Sequence, residues 1–119
     1  MYGLPANEDL SFLRDKDLEL ICFAAYQVNL HFEGKLLITI LGSFRHQVAG
    51  RSAAACDLGF PLQTSELMRL LTHKIQEIRT ERVGTLSLAF SNGDQLIIEG
   101  DNGPYESYHI QHGDRLIVV

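Results

Sequence analysis

The chain has 119 residues, 45% of them hydrophobic, and a formal net charge of −5. This length predicts a single domain over residues 1–119, and the acidic balance disfavours a nucleic-acid-binding surface, which would be basic. No apolar run approaches the roughly 20 residues that cross a bilayer, and residues 1–17 lack the pattern of a secretory signal. We therefore expect a cytoplasmic protein in which Cys22 and Cys56 are unpaired thiols.

The N-terminal half shows the alternation of apolar and polar residues that is typical of β-strands. Residues 17–25 are apolar on both faces, whereas the next run alternates cleanly. Glu33-Gly34 predicts a two-residue hairpin turn, and Gly42 predicts a bulge or bend. We expect strands over residues 17–25, 26–32, 35–41 and 43–48.

One helix is predicted after a small-residue loop at residues 50–61. Thr64 or Ser65 is a suitable N-cap. The leucines that follow have i, i+3, i+4 spacing, at Leu67, Leu70 and Leu71. We place the end of this helix near His73 and the start of a strand near Ile75 or Gln76.

A β-hairpin dominates the C-terminal half. Leu86, Leu88 and Phe90 alternate with small or polar residues, and Asn92-Gly93 supplies the positive φ of a tight turn. Strands are expected over residues 85–90, 96–99, 105–110 and 114–119. Because the two hairpins must bury their apolar faces, we predict burial of Val28, Leu30, Phe32, Leu86, Leu88 and Phe90.

These elements predict an α+β domain that is mostly antiparallel, with about seven or eight strands and one main helix. The arrangement is a hairpin-rich sandwich or a half-barrel, and the sequence leaves these two open.

The sequence contains no recognisable catalytic motif. It has no Gly-rich phosphate loop and no Gly-x-Ser-x-Gly nucleophile elbow. His109 and His112 are three apart, which places them on opposite faces of a strand and disfavours a shared metal ion. A Ser-His-Asp set assembled in space stays open. We expect no catalytic residues, no cofactor and no metal.

The charges are segregated along the chain. Residues 83–114 contain five acids and no lysine or arginine, whereas residues 34–56 contain three basic residues and no acid. Two tyrosines interrupt the acidic stretch. Acidic groups steer cationic partners, and tyrosine is enriched at binding surfaces. We therefore predict a partner-binding surface made of Asp94, Glu99, Asp101, Tyr105 and Glu106.

Several runs resemble a family of small bacterial β-rich proteins of unknown function. They are Asp9-Leu-Ser-Phe-Leu, residues 18–23, residues 27–32, residues 84–93, residues 105–110 and the terminal Ile-Val-Val. Members of that family resemble immunity proteins of polymorphic toxin systems, including contact-dependent growth inhibition. The matching residues are turns and strands, so they transfer no catalytic residue.

The resemblance implies a cytoplasmic, non-enzymatic protein that binds and neutralises one cognate toxin. Together with the acidic stretch it predicts a cationic toxin, in particular a nuclease, whose active site is occluded. No nucleic acid and no membrane are expected as partners, and a homodimer is left open. The alternative is a non-enzymatic small-ligand or regulatory domain, with a pocket between the sheet and the helix.

Overall fold

The computed structural model describes residues 9–52, 65–81, 84–100 and 104–119, which form two antiparallel β-sheets around one hydrophobic core. The strands are β1 (Leu18–Phe23), β2 (Val28–Phe32), β3 (Leu36–Ile40), β4 (Phe44–Gln47), β5 (Ile75–Thr80), β6 (Leu86–Phe90), β7 (Gln95–Ile98), β8 (Tyr108–His112) and β9 (Arg115–Val118). The order is β1-β2-β3-β8-β9 in the five-stranded sheet and β4-β7-β6-β5 in the four-stranded sheet.

The two predicted hairpins lie in different sheets and face each other across the core. β2 pairs antiparallel with β3, and β6 pairs antiparallel with β7. Every second residue of these strands points inward, so the alternation in the sequence becomes one apolar layer per sheet. The predicted burial is confirmed, because each of the six residues is at most 3% exposed: Val28, Leu30, Phe32, Leu86, Leu88 and Phe90.

The predicted α+β class is wrong, because the described residues contain no α-helix and form nine strands. In place of the helix there is a 3-10 turn at Leu67–Leu70, after a shorter one at Ser11–Leu13. Leu67 and Leu70 are both buried, and their spacing of three fits the three residues per turn of a 3-10 helix. The helical geometry ends at Leu71, which has a ψ of 137°, and Thr72 follows with a φ of +70°.

Both hairpin turns are one residue longer than a two-residue turn. Phe32 pairs with Leu36, so the first loop is residues 33–35, with Gly34 and Lys35 both at positive φ. In the second hairpin the Phe90 N–H donates to the Asp94 carbonyl at 2.9 Å, and Gly93 has a φ of +91°. The predicted positive φ at Gly93 is therefore confirmed.

The connections between strands lie at the two ends of the sandwich. One end, called here the turn end, carries residues 33–35, 91–94 and 113–114. There the two sheets also join through the bridge between Asp17 and Lys74. The Leu18 N–H donates to the His73 carbonyl at 3.0 Å beside this bridge.

The opposite end, called here the acidic end, carries the described residues of 24–27, 41–43, 81–85 and 99–107. The Leu41 and Gly42 N–H groups donate to the Ser107 carbonyl, and the Glu99 N–H donates to the Ser43 carbonyl. The buried Tyr108 hydroxyl donates to the Gly84 carbonyl at 2.6 Å. These bonds fix connections of both sheets against each other at this end.

Candidate partner-binding site

Two exposed tyrosines lie at the acidic end. Tyr26, in the turn between β1 and β2, is 83% exposed, and Tyr105, just before β8, is 70% exposed. Only β3 separates β2 from β8. At about 4.8 Å per strand, the turns that carry the two tyrosines therefore begin roughly 10 Å apart. A single partner surface can cover both rings.

Acidic side chains lie at the same end of the sandwich as these tyrosines. Glu99 follows β7 directly, Glu106 precedes β8, and the exposed Glu81 follows β5. Glu99 accepts a hydrogen bond from Arg45 at 2.9 Å, and Glu106 lies 2.7 Å from His109 Nε2. Such partly exposed pairs add little stability, but they restrict the orientation of each carboxylate.

Asp94 lies at the other end of the molecule from the remaining predicted site residues. It precedes β7, whereas Glu99 follows β7, so the length of that strand separates them. The Asp94 side chain is 0% exposed. A fully buried carboxylate cannot contact a partner, so we assign Asp94 a structural role. Asp101 falls outside the described residues.

Asp94 holds a buried polar cluster at the turn end. Its Oδ1 accepts from the Ala49 N–H at 2.8 Å, and Arg69 donates to both carboxylate oxygens, at 3.0 and 3.1 Å. His46 Nε2 lies 2.8 Å from Oδ2. Burial acts to raise the pKa of Asp94, but the bonds from Arg69, Ala49 and His46 outweigh it and hold that pKa well below its ordinary value.

The His46–Asp94 pair is the arrangement that a spatially assembled hydrolase would need, so its accessibility decides its chemistry. Both side chains are 0% exposed. The Nδ1 atom of His46 is buried and has no hydrogen-bond partner among the described residues. A general base must reach the proton of a substrate or nucleophile. The buried His46 cannot reach a substrate. The His46–Asp94 pair instead links β4 to the loop before β7.

Other candidate chemistries find little support in the described ranges. They contain no group of three His, Cys, Asp or Glu residues that could hold a metal ion. Cys22 is an exposed, unpaired thiol on β1, and Cys56 lies outside the described residues. No helix among those described is long and apolar enough to cross a membrane.

The pocket was expected between the sheet and a helix, but the described part of that helix is only a 3-10 turn at Leu67–Leu70. A surface groove lies instead on the four-stranded sheet, beside β5. Its polar lining includes Arg14, Glu77, Arg79, Ser87 and Gln95. Charges of both signs line it, so it selects no single ligand class.

Sequence reasoning missed Tyr26 and Glu81 as members of the acidic end. Tyr26 is far from residues 83–114 in the chain, and Glu81 lies just before that stretch. Counting strand directions from each hairpin turn places the β1–β2 and β5–β6 connections at the same end as the β7–β8 connection. Strand direction is therefore the signal that could have located Tyr26 and Glu81. It becomes informative only when the strand order of both sheets is known.

Comparison with protein-family models, with curated proteins and with solved structures gives no match. The resemblance to immunity proteins therefore depends on the sequence motifs alone.

Proposed function

We propose that this protein is a non-enzymatic immunity protein that binds a cationic bacterial toxin, in particular a nuclease, and occludes its active site. The supporting observation is the acidic end of the sandwich, which carries the exposed Tyr26 and Tyr105 together with Glu99 and Glu106. The toxin docks there, and Asp94 contributes only to folding.

The composition of this surface suits a basic cleft. A nuclease holds a polyanionic substrate, so its cleft is lined with cations that acidic groups complement. Tyrosine buries a large area at a low cost in conformational entropy, because it has only two side-chain torsions. The carboxylates steer the encounter, and the rings supply the desolvated centre of the interface.

The first experiment establishes the partner. The C-terminal domain of a toxin encoded directly upstream of this gene is purified, and its nuclease activity is titrated with this protein. Stoichiometric inhibition is expected, together with a complex on size-exclusion chromatography. An active toxin domain that the protein neither binds nor inhibits would contradict the proposal.

The second experiment locates the interface with matched substitutions. Tyr105→Ala is compared with Met68→Ala, because both side chains are 70% exposed but Met68 lies in the 3-10 turn at the turn end. We expect Tyr105→Ala to weaken toxin binding by about tenfold, as truncation of an interface tyrosine does. Met68→Ala should leave binding unchanged.

A charge-reversal pair tests steering at the same surface. Glu106→Lys should slow association at low salt and reduce its dependence on ionic strength, because the long-range attraction is lost. Asp114→Lys, in the exposed turn between β8 and β9 at the turn end, is the control. Equal association rates for the two variants, measured with both folds intact, would place the interface elsewhere.

A further inference from the structure

β1 forms one edge of the five-stranded sheet and has backbone groups that this sheet does not pair. The Ala24 N–H donates to the Gln27 carbonyl at 2.9 Å. Because N–H and C=O groups alternate in direction along an antiparallel strand, Ala24, Cys22 and Leu20 direct theirs toward β2. Ile21 and Phe23 direct theirs away from β2, toward the open edge.

After Glu19, the side chains of β1 are apolar and uncharged. Leu20 is 52% exposed and Phe23 is 46% exposed, and Cys22 is also exposed. No charged residue occurs from Leu20 to Gln27. Natural proteins usually protect an edge strand with charges or proline, because an unprotected edge pairs with another strand.

The other three edge strands carry charges over more of their length or at their start. β4 has Arg45, β5 has Glu77 and Arg79, and β9 begins with Arg115. β1 has one charge, the exposed Glu19 near its start, and its remaining residues Leu20–Phe23 form the longest uncharged segment within the four described edge strands.

We propose that β1 pairs antiparallel with β1 of a second copy of this chain, around a two-fold axis at Cys22. In this register Ile21 lies opposite Phe23 of the second copy, and Phe23 opposite Ile21. All four outward backbone groups of each strand segment then form hydrogen bonds across the dimer. The five strands of each copy become one continuous sheet.

A second copy fits this edge better than a cationic partner for two reasons. The uncharged segment Leu20–Phe23 offers a cation no counter-charge, but it does not repel the same segment of a second copy. The proposed register also keeps the faces matched, so the outward Cys22 of one copy meets the outward Cys22 of the other, and core-side Ile21 meets core-side Phe23. The contact is a single strand pair, which buries little area, so we expect a weak dimer.

The first test measures mass against concentration for the full chain by sedimentation, from about 5 to 500 µM, a range that brackets a weak interface. We expect a concentration-dependent doubling of the mass. Cys22→Lys places two ammonium groups opposite each other and should raise the dissociation constant by about tenfold. Leu116→Lys is the matched control, since Leu116 is 56% exposed on β9, the opposite edge of the same sheet. It should not change the dissociation constant.

The second test determines the register through disulfide trapping with copper phenanthroline as the oxidant. Cys56→Ser leaves Cys22 as the sole thiol, and the two Cys22 Cα atoms should lie about 4.5 Å apart, within disulfide range. In the comparison protein, Leu20→Cys is combined with Cys22→Ser and Cys56→Ser. The thiols at position 20 should be about 14 Å apart, four residues out of register, and should not cross-link.

The outcomes separate cleanly. Dimerisation that Cys22→Lys weakens and Leu116→Lys does not, with cross-linking at position 22 and not at position 20, supports the proposal. A monomer at every concentration overturns it and makes an extended segment of another protein the occupant to seek. Equal cross-linking at the two positions, or a dimer insensitive to Cys22→Lys, also overturns it.

Discussion

Asp94 shows how one buried side chain can organise a whole end of this sandwich. It connects β4 through His46, the 3-10 turn through Arg69 and the chain after β4 through Ala49. Asp94→Asn keeps the shape but replaces one acceptor oxygen by a donor, which then faces donors. We expect the free energy of unfolding at pH 7 to fall by about 2 kcal/mol, because buried donors lose their charged acceptor.

The pH dependence of this loss follows from the sign of the Asp94 shift. Its pKa is lower in the folded protein than in the unfolded chain, so the carboxylate stabilises the fold above its unfolded value, about 3.9. The difference between wild type and Asp94→Asn in urea denaturation should be full above about pH 5 and shrink as the pH falls further. The exposed Asp114→Asn should stay within about 0.5 kcal/mol of wild type. A difference that does not change between pH 7 and pH 3 would contradict this assignment.

At the scale of elements, the turn between β6 and β7 requires glycine for two separate reasons. Gly93 has a φ of +91°, and a Cβ built on it would lie 3.0 Å from the Ala49 Cβ. Gly50 has a similar φ of +82°, with nothing within 4 Å of a built Cβ. Gly50→Ala should therefore cost only the strain of a left-handed conformation, about 1 kcal/mol. Gly93→Ala should cost about 1–2 kcal/mol more, because the added methyl also displaces Ala49.

Thermal or urea unfolding of the two glycine variants measures this difference directly. Equal losses of stability would mean that the turn moves away from Ala49 without cost. The same loop carries Asp94, so a larger loss in Gly93→Ala should be reduced when Asp94→Asn is also present, since neighbouring changes are not additive.

At the scale of the whole molecule, Tyr108 joins the two sheets. Its ring is fully buried in the five-stranded sheet, and its hydroxyl donates to Gly84, which precedes β6 of the four-stranded sheet. Burial raises the pKa of this phenol, so the hydroxyl stays protonated and donates throughout the neutral range. Tyr108→Phe leaves the Gly84 carbonyl without its donor and should cost about 1–2 kcal/mol.

The measurement is urea unfolding followed by circular dichroism and by tyrosine fluorescence. Coincident curves are expected for wild type and for Tyr108→Phe, because one core is shared by both sheets and a small domain unfolds cooperatively. Separate transitions in the variant would mean that this hydroxyl is needed for the sheets to unfold as one unit.

The sequence alone determined the strands, because a period of two is a local property that each hairpin displays in its own residues. The alternation at Leu86, Leu88 and Phe90 and the glycine at position 93 suffice to predict a buried face and a turn. The leucine spacing before His73 was not sufficient to distinguish an α-helix from a 3-10 turn. Both a helix and a single 3-10 turn bury residues three apart, and only packing against the sandwich decides between them.

The tertiary structure alone decided which acidic residues share a surface. Proximity in the sequence grouped Asp94 with Glu99, but one strand separates them, and the same fold buries Asp94 against Arg69 and His46. It also placed Tyr26 at the end that carries Tyr105, although the two are 79 residues apart in the chain. Burial and ion pairing depend on what strands distant in the sequence bring together, so a local pattern cannot encode them.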